Sequence, residues 1–286
     1  MSEASEAVTY KVLLTQAIDA LADTSSSPTI DAEVLLQHVV KQSSAWLIAH
    51  NADLAITDHI EDYLKLIDRR AKGEPIAYML GYKEFWSLKL KVNQHVLIPR
   101  ADTETLVEQA LLKLNKQMNY NMLDLGTGSG AIALAIAKER PLAQVIAVDS
   151  QPGALEVAES NAQTNKIENV RFILSDWFND IPAIKFDLIA SNPPYVEVND
   201  SHLEQGDLRF EPNAALIGGG DGLDDIKKII SMAPSFLANG AHLLLEHGFD
   251  QYKLVEKLML DAGFIEIENA RDINDLPRCT TGKWLS

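Results

Sequence analysis

A chain of 286 residues that is 47% apolar can bury a sizeable core and has room for two domains, which excludes global disorder. A formal net charge of −16 and a pI near 4.8 argue against a general nucleic-acid binder, because phosphate contacts need clustered Lys and Arg. The single cysteine, Cys279, excludes an internal disulfide and a cysteine-built metal site; the seven histidines fall without ligand spacing, so no metal is expected.

Met1 to Tyr10 are polar and acidic, without the basic flank and apolar run of a signal peptide. No stretch approaches the roughly 18 apolar residues of a membrane span, so a cytoplasmic protein is expected, and nothing calls for more than a monomer. From Val8 to about Lys72 the pattern is helical. Leu13, Leu14, Ala17, Ile18 and Leu21 repeat at helix spacing, and Ser25 to Pro28 break the run. Ala32 to Val40 make a second helix, and Trp46 to Ile48 a short third. Asp58 with Glu61 three residues on has the form of a capping box for a fourth, closing near Gly73. Residues 1–73 therefore read as an all-α bundle, either a packing domain or a grip on a macromolecular substrate. Residues 74–98 read as a linker and β-hairpin, in which Glu84 to Val92 alternate with Trp86, Leu88, Leu90 and Val92 on one face.

Residues 99–286 read as an α/β domain. A helix runs through Leu106 to Leu114. Beyond it strand and helix patterns alternate: Met122–Leu125, Ile132–Lys138, Gln144–Val148, Ala154–Gln163, Val170–Leu174, Phe186–Ala190, Asp224–Leu237, Ala241–Glu246 and Tyr252–Ala262. That succession predicts a Rossmann-like fold with a mostly parallel sheet.

The first strand of this sheet leads into Gly126-Thr127-Gly128-Ser129-Gly130, a turn that lets backbone N–H groups approach a ligand. The next strand ends at Asp149, where a carboxylate can accept hydrogen bonds from a ribose diol. Glycines at 126, 128 and 130 miss the Gly-x-Gly-x-x-Gly spacing of nicotinamide enzymes and suit S-adenosylmethionine, leaving S-adenosylhomocysteine as product. Ser175-Asp176-Trp177 follow the third strand. There an acid and an aromatic can hold and cover an adenine, although core packing explains Trp177 as well.

Asn192-Pro193-Pro194-Tyr195 come next, directly after a strand. Two prolines stiffen the backbone and stop the strand. They fix the Asn192 amide, the Pro193 carbonyl and the Tyr195 ring, a grip for a planar group bearing NH2. Two substrates fit such a grip: a carboxamide, or the exocyclic amine of adenine in a nucleic acid. The acidic balance weighs against the second, which must bind phosphate and extrude a base. Arg100 and Arg209 suit either a ligand or loop-fixing ion pairs, Thr103 and Glu104 can simply begin a helix, and Glu246 and His247 read as structural.

Together Asp124–Leu134, Asp149, Asp176-Trp177 and Asn192–Tyr195 resemble the HemK/PrmC family. The likeness continues in Gly81–Trp86, Pro99-Arg100 before Asp102-Thr103-Glu104, Arg209–Pro212 and Leu245–Gly248. It implies methylation of the glutamine in the Gly-Gly-Gln motif of peptide chain release factors, with no direct nucleic-acid partner. It also implies that Gly126 to Gly130 line the cofactor, Asp149 binds its ribose, Trp177 lies beside adenine, and Asn192 faces both methyl donor and glutamine. Ala101 departs from the family, where proline is common.

Overall fold

Apolar spacing and the Ser25–Ser27 break set where the first helices end and begin. The computed structural model describes residues 8–286. Two compact units result: residues up to Gly81 together with Gln205–Phe210, and the remainder. In the first, α1 (Tyr10–Leu21), α2 (Pro28–Val40), α3 (Ser44–Ala49), α4 (Thr57–Ala71) and α5 (Ile76–Leu80) bury Leu13, Leu21, Leu35, Leu36, Tyr63 and Ile67. Thr9 caps α1 by accepting from the Val12 N–H, and Pro28 opens α2 at a position where its missing N–H costs nothing. The expected capping box at Asp58 and Glu61 is absent. The cap position falls on Ile56, which has no side-chain acceptor, and Asp58 instead lies in the first turn of α4, where a negative charge favours the helix dipole. Arg70 gathers this unit: it donates to Asp31 at 2.7 Å and to Asp207 at 3.0 Å, fastening segment 205–210 to the helices.

The second unit opens on the expected hairpin, with its turn at Trp86-Ser87 inside the run that alternation read as one strand. β1 (Tyr82–Phe85) pairs antiparallel with β2 (Leu88–Lys91). Trp86 and Ser87 between them both take left-handed φ values of 49° and 56°, the twist a two-residue hairpin turn requires. Asn161 of α8 (Pro152–Asn165) clamps this hairpin. Its Oδ1 accepts from the Lys91 N–H at 2.6 Å, and its Nδ2 donates to the carbonyls of Lys91 and Ser129.

A 3-10 turn (Ala101–Thr103) leads into α6 (Glu104–Lys113), and then the sheet begins: β3 (Asn121–Leu125), α7 (Ala131–Glu139), β4 (Gln144–Asp149), α8, β5 (Val170–Leu174), β6 (Phe186–Ser191), α9 (Asp224–Met232), β7 (Leu237–Glu246), α10 (Tyr252–Asp261), β8 (Ile265–Arg271) and β9 (Pro277–Lys283). The spatial order is β5-β4-β3-β6-β7-β9-β8; β5 to β7 run parallel, and β9 and β8 close the far edge antiparallel. This is the Rossmann-like α/β domain the alternation predicted. Alternate strand residues serve two cores: Met122, Val145, Leu188 and Leu244 pack with α6 and α7, whereas Leu123, Val148, Ile189 and Leu245 pack with α9 and α10. Helices cover both faces, which is why these strands read as continuous apolar runs. The predicted helix Asp224–Leu237 stops at Met232 because Pro234 turns the chain into a short 3-10 segment, and Leu237 already belongs to β7. Among the described residues no helix is long and apolar enough to cross a membrane.

Truncating Asn161 leaves both Lys91 backbone groups and the Ser129 carbonyl without this partner. Asn161→Ala is expected to cost about 2–4 kcal/mol, read as a lower urea midpoint at unchanged m-value.

Candidate active site

The sheet starts at β3 in its middle, runs outward to β5, and returns to β6 on β3's other side. The crevice beyond the carboxyl ends of β3 and β6 is therefore the switch point where such sheets bind ligands. A cavity of about 300 Å³ opens there, lined from β3 by Gly126, Thr127, Gly128 and Ser129, from β4 by Asp149, from β5 by Trp177, and from β6 by Asn192 and Pro194.

The glycine loop is held from below by Asp124. Its Oδ2 accepts from the Thr127 hydroxyl at 2.6 Å and from the Ala133 N–H at 3.2 Å, while its Oδ1 has no hydrogen-bond partner among the described residues. Burial pushes this carboxyl up to about 7, against the pull of those hydrogen bonds. Asp149 braces the loop from the other side, accepting from the N–H groups of Gly128 and Gln151, each at 2.9 Å. Burial raises its pKa too, and those backbone bonds oppose the rise. Gly130 does not line the cavity. It takes φ +83°, and a Cβ there would meet Leu134 Cδ1 at 3.0 Å and Ala158 Cβ at 3.3 Å, so it lets α7 pack closely on α8.

Trp177 sits at φ 54° with its ring against Gly126, and its Nε1 donates to Asp225 of α9 at 3.2 Å. The Ser175 hydroxyl holds this turn, donating to the Trp177 carbonyl and accepting from the Asp180 N–H. Asp176 also borders the cavity but is engaged by Lys228 at 3.0 Å. Asp225 carries no motif, which is why the sequence did not disclose it.

At the far end β6 hands the chain to Asn192. The Ser191 hydroxyl donates to the Leu125 carbonyl at 2.7 Å, tying the corner to the start of the glycine loop. Asn192 Nδ2 donates to Thr103 Oγ1 at 3.2 Å. Pro193 is buried, and neither it nor Tyr195 lines the cavity. This corrects the expectation that the Tyr195 ring covers a bound planar group. The ring packs on the α9–α10 core, its hydroxyl donates to Glu246 Oε1 at 3.3 Å, and its carbonyl accepts from Gln251 Nε2 at 3.0 Å. The corner is further confined by Gly222 at φ +68°, where a Cβ would lie 2.3 Å from the Tyr195 carbonyl oxygen. Arg100 borders the cavity and donates to the buried Glu211 at 2.6 Å, and Arg209 lies in the helical unit. Thr103 read as a helix start because its partner lies 89 residues away, a distance no local pattern spans.

Residues 102–212 match the methyltransferase small domain family, and residues 12–81 match the PrmC N-terminal domain. The chain is 45% identical over 262 residues to release factor glutamine methyltransferase of Xylella fastidiosa (strain 9a5c), covering 92% of this chain and 95% of that one. With release factor glutamine methyltransferase of Escherichia coli (strain K12) it shares 44% identity over 275 residues, 96% of this chain and 99% of that one. The chain belongs to the release factor glutamine methyltransferase family. A methyltransferase from Pyrococcus furiosus, 16% identical, superposes with a TM-score of 0.55 over 77% of this chain and 98% of that one, a likeness of fold alone. In this family member Gly126 to Ser129, Asp149, Trp177 and Asn192 share one cavity.

The native state keeps a proton on Asp124 up to about pH 7, whereas the unfolded chain releases it near 3.8. A carboxyl raised in this way makes folding less favourable as pH rises between those values. Asn in its place removes that slope. Asp124→Asn should therefore gain stability relative to wild type progressively from about pH 4 to about pH 7 and hold a constant difference above, measured by urea midpoints across that range.

Proposed function

We propose that this protein transfers a methyl group from S-adenosylmethionine to the side-chain amide nitrogen of the glutamine in the Gly-Gly-Gln motif of peptide chain release factors, and so modulates translation termination. One observation carries the reading: a nucleoside-sized cavity has a carboxylate, an indole and a glycine loop at one end and a tethered asparagine amide at the other. The donor set suits the cofactor. A Cβ at Gly128 would meet nothing within 4 Å, so the backbone there faces open space; the Asp149 oxygens keep lone pairs for a ribose diol; and the Trp177 ring offers a flat apolar surface for adenine. When bound, S-adenosylmethionine supplies an electrophilic methyl carbon on a sulfonium.

The chain's own residues have a demanding partner to prepare, because an amide nitrogen delocalises its lone pair into the carbonyl. One N–H of Asn192 Nδ2 is given to Thr103, which fixes the amide's orientation and leaves Oδ1 to accept an N–H of the glutamine amide. In this reading the Pro193 carbonyl, in the peptide that joins it to the cavity-lining Pro194, takes the second N–H, and Pro194 stiffens the turn. Acceptors on both hydrogens fix the amide plane and aim the nitrogen. The N–H groups become more acidic as the C–N bond forms, so those bonds strengthen in the transition state, which is the differential binding that lowers a barrier. No group need remove a proton beforehand; the N-methylated amide is acidic enough to give its extra proton to water. Tyr195 acts from outside the cavity as a brace for the corner. The helical unit, which exposes Ile30, Ile48, Leu54 and Ile56, is the part we assign to docking the release factor, with the enzyme acting as a cytoplasmic monomer.

Mass spectrometry of a release factor incubated with enzyme and cofactor should show one added methyl, on the Gly-Gly-Gln glutamine; no methyl, or one elsewhere, overturns the proposal. Asn192→Ala should still bind S-adenosylmethionine and lose ~10²–10³ in turnover. Asp149→Ala should instead weaken cofactor binding, and an unchanged affinity by calorimetry would remove its ribose role.

A further inference from the structure

A buried carboxyl stands directly behind the catalytic corner without touching the cavity. β6 and β7 are parallel with Ser191 opposite Leu245, so the next residues, Asn192 and Glu246, leave the sheet side by side. Glu246 is 1% exposed. Its Oε1 accepts from Tyr195, and its Oε2 has no hydrogen-bond partner among the described residues. The Thr103 hydroxyl, itself buried, faces this carboxyl on one side and Asn192 Nδ2 on the other.

We propose that Glu246 is a positioning residue: through Thr103 it sets which edge of the Asn192 amide faces the cavity. The inference rests on the methyl-transfer reading above. The logic is a count of protons. A hydroxyl has one proton and two lone pairs, and an ionised carboxylate can only accept. Thr103 therefore turns its proton to Glu246 and leaves its oxygen as an acceptor. Of the two edges of Asn192, similar in shape and opposite in polarity, only the N–H2 edge satisfies that oxygen, and Oδ1 is left to the cavity. Without the carboxylate the Thr103 proton is free to meet Oδ1, and the amide can turn over, presenting a donor where the substrate also brings donors.

Stability alone gives little reason for the carboxyl. An ionised carboxyl is costly to bury unless its partners satisfy it in full, and one oxygen of this one has no hydrogen-bond partner among the described residues. Burial pushes Glu246 up to about 7, opposed by the Thr103 hydroxyl, the Arg278 charge and the Tyr195 hydroxyl, while Asp102 adds to the rise. The other groups packed around it belong to β9 and the 3-10 turn. Arg278 is held by Asp272 at 3.1 Å and Asp102 at 3.3 Å, and Cys279 lies opposite Glu246 across the strand pair. His247, next in sequence, is turned to Thr280 and the Gly248 carbonyl, and burial lowers its pKa. Arg100 reaches this group through its field on Tyr195. Glu246 is thus the member of this set that changes charge near neutrality, and turnover at saturating cofactor should fall as it gains its proton below about pH 7.

The test begins with wild-type enzyme and a release factor, since absence of methylation there refutes the function and leaves the relay without a reaction to serve. Given that activity, Glu246→Gln and Thr103→Val should each lower kcat roughly 10- to 100-fold, with little change in cofactor affinity or substrate KM. The double variant should be no slower than Thr103→Val alone, because both cut one path. Thr103→Ser, which keeps the hydroxyl, should restore most of the loss. The acidic limb of the kcat profile should vanish in Glu246→Gln. A readout independent of turnover is the Asn192 side-chain amide in a 1H–15N spectrum, assigned by its loss in Asn192→Ala. One of its protons should exchange slowly in wild type at pH 8, lose that protection in both variants, and lose it in wild type on acidification with the Glu246 midpoint. Wild-type kcat in Glu246→Gln with unchanged Asn192 signals overturns the proposal. If Glu246→Gln does not fold, equal kcat for Thr103→Ser and Thr103→Val, or an Asn192 amide indifferent to pH, overturns it instead.

Discussion

An asparagine amide is nearly symmetric in shape and opposite in polarity from one edge to the other. The chemistry assigned to this chain depends on that ambiguity being resolved, and the hydrogen bond from Asn192 Nδ2 to Thr103 resolves it. The bond joins two segments far apart in sequence: a 3-10 turn ahead of the first strand of the large sheet, and the loop after the fourth. Rigid supports surround it. Prolines restrict the chain on one side, the Ser191 hydroxyl pins the strand end to Leu125, and Gln251 with Gly222 confines the Tyr195 carbonyl. A site built this way places its polar groups before any ligand arrives, which is what electrostatic preorganisation requires.

The sheet supplies the distance between donor and acceptor halves of the site. β3 and β6 are hydrogen-bonded neighbours, with Leu125 opposite Ser191. The glycine loop and the Asn-Pro-Pro-Tyr corner must therefore emerge within one strand spacing of each other, although some sixty residues separate them in the chain. Buried carboxyls flank both halves. Asp124 holds the loop and Glu246 stands behind the corner, each carrying one oxygen without a hydrogen-bond partner among the described residues. Such groups cost stability, and their positions at the ends of central strands are where proteins tolerate that cost for function.

What the sequence disclosed depended on how local each signal was. The apolar runs of β3, β4 and β6 and the glycines after β3 announce themselves within a few residues, and the proline pair marks the end of β6 without ambiguity. Alternation through Glu84–Val92 misled because it continues smoothly across Trp86-Ser87, where two left-handed residues turn the chain back on itself and neither is glycine or asparagine. The antiparallel edge went unread, although Ile265 and Ile267 alternate with glutamates there. The roles of Thr103, Asp225 and Glu246 were invisible for a different reason: each acts through a side chain brought near by folding, and no spacing rule connects 103 with 192 or 177 with 225. Tyr195 shows the converse error, since a motif residue in the right place can still point its ring into the core.

The clamp at Asn161 bears on where this enzyme can be cut. The hairpin lies outside the large sheet and looks dispensable, yet one amide binds the N–H and the carbonyl of Lys91 and the Ser129 carbonyl of the glycine loop. A fragment trimmed to begin after the hairpin would strip that amide of two of its three partners and expose Leu88 and Leu90's buried neighbours to water. A cut that spares this clamp therefore falls at or before Tyr82.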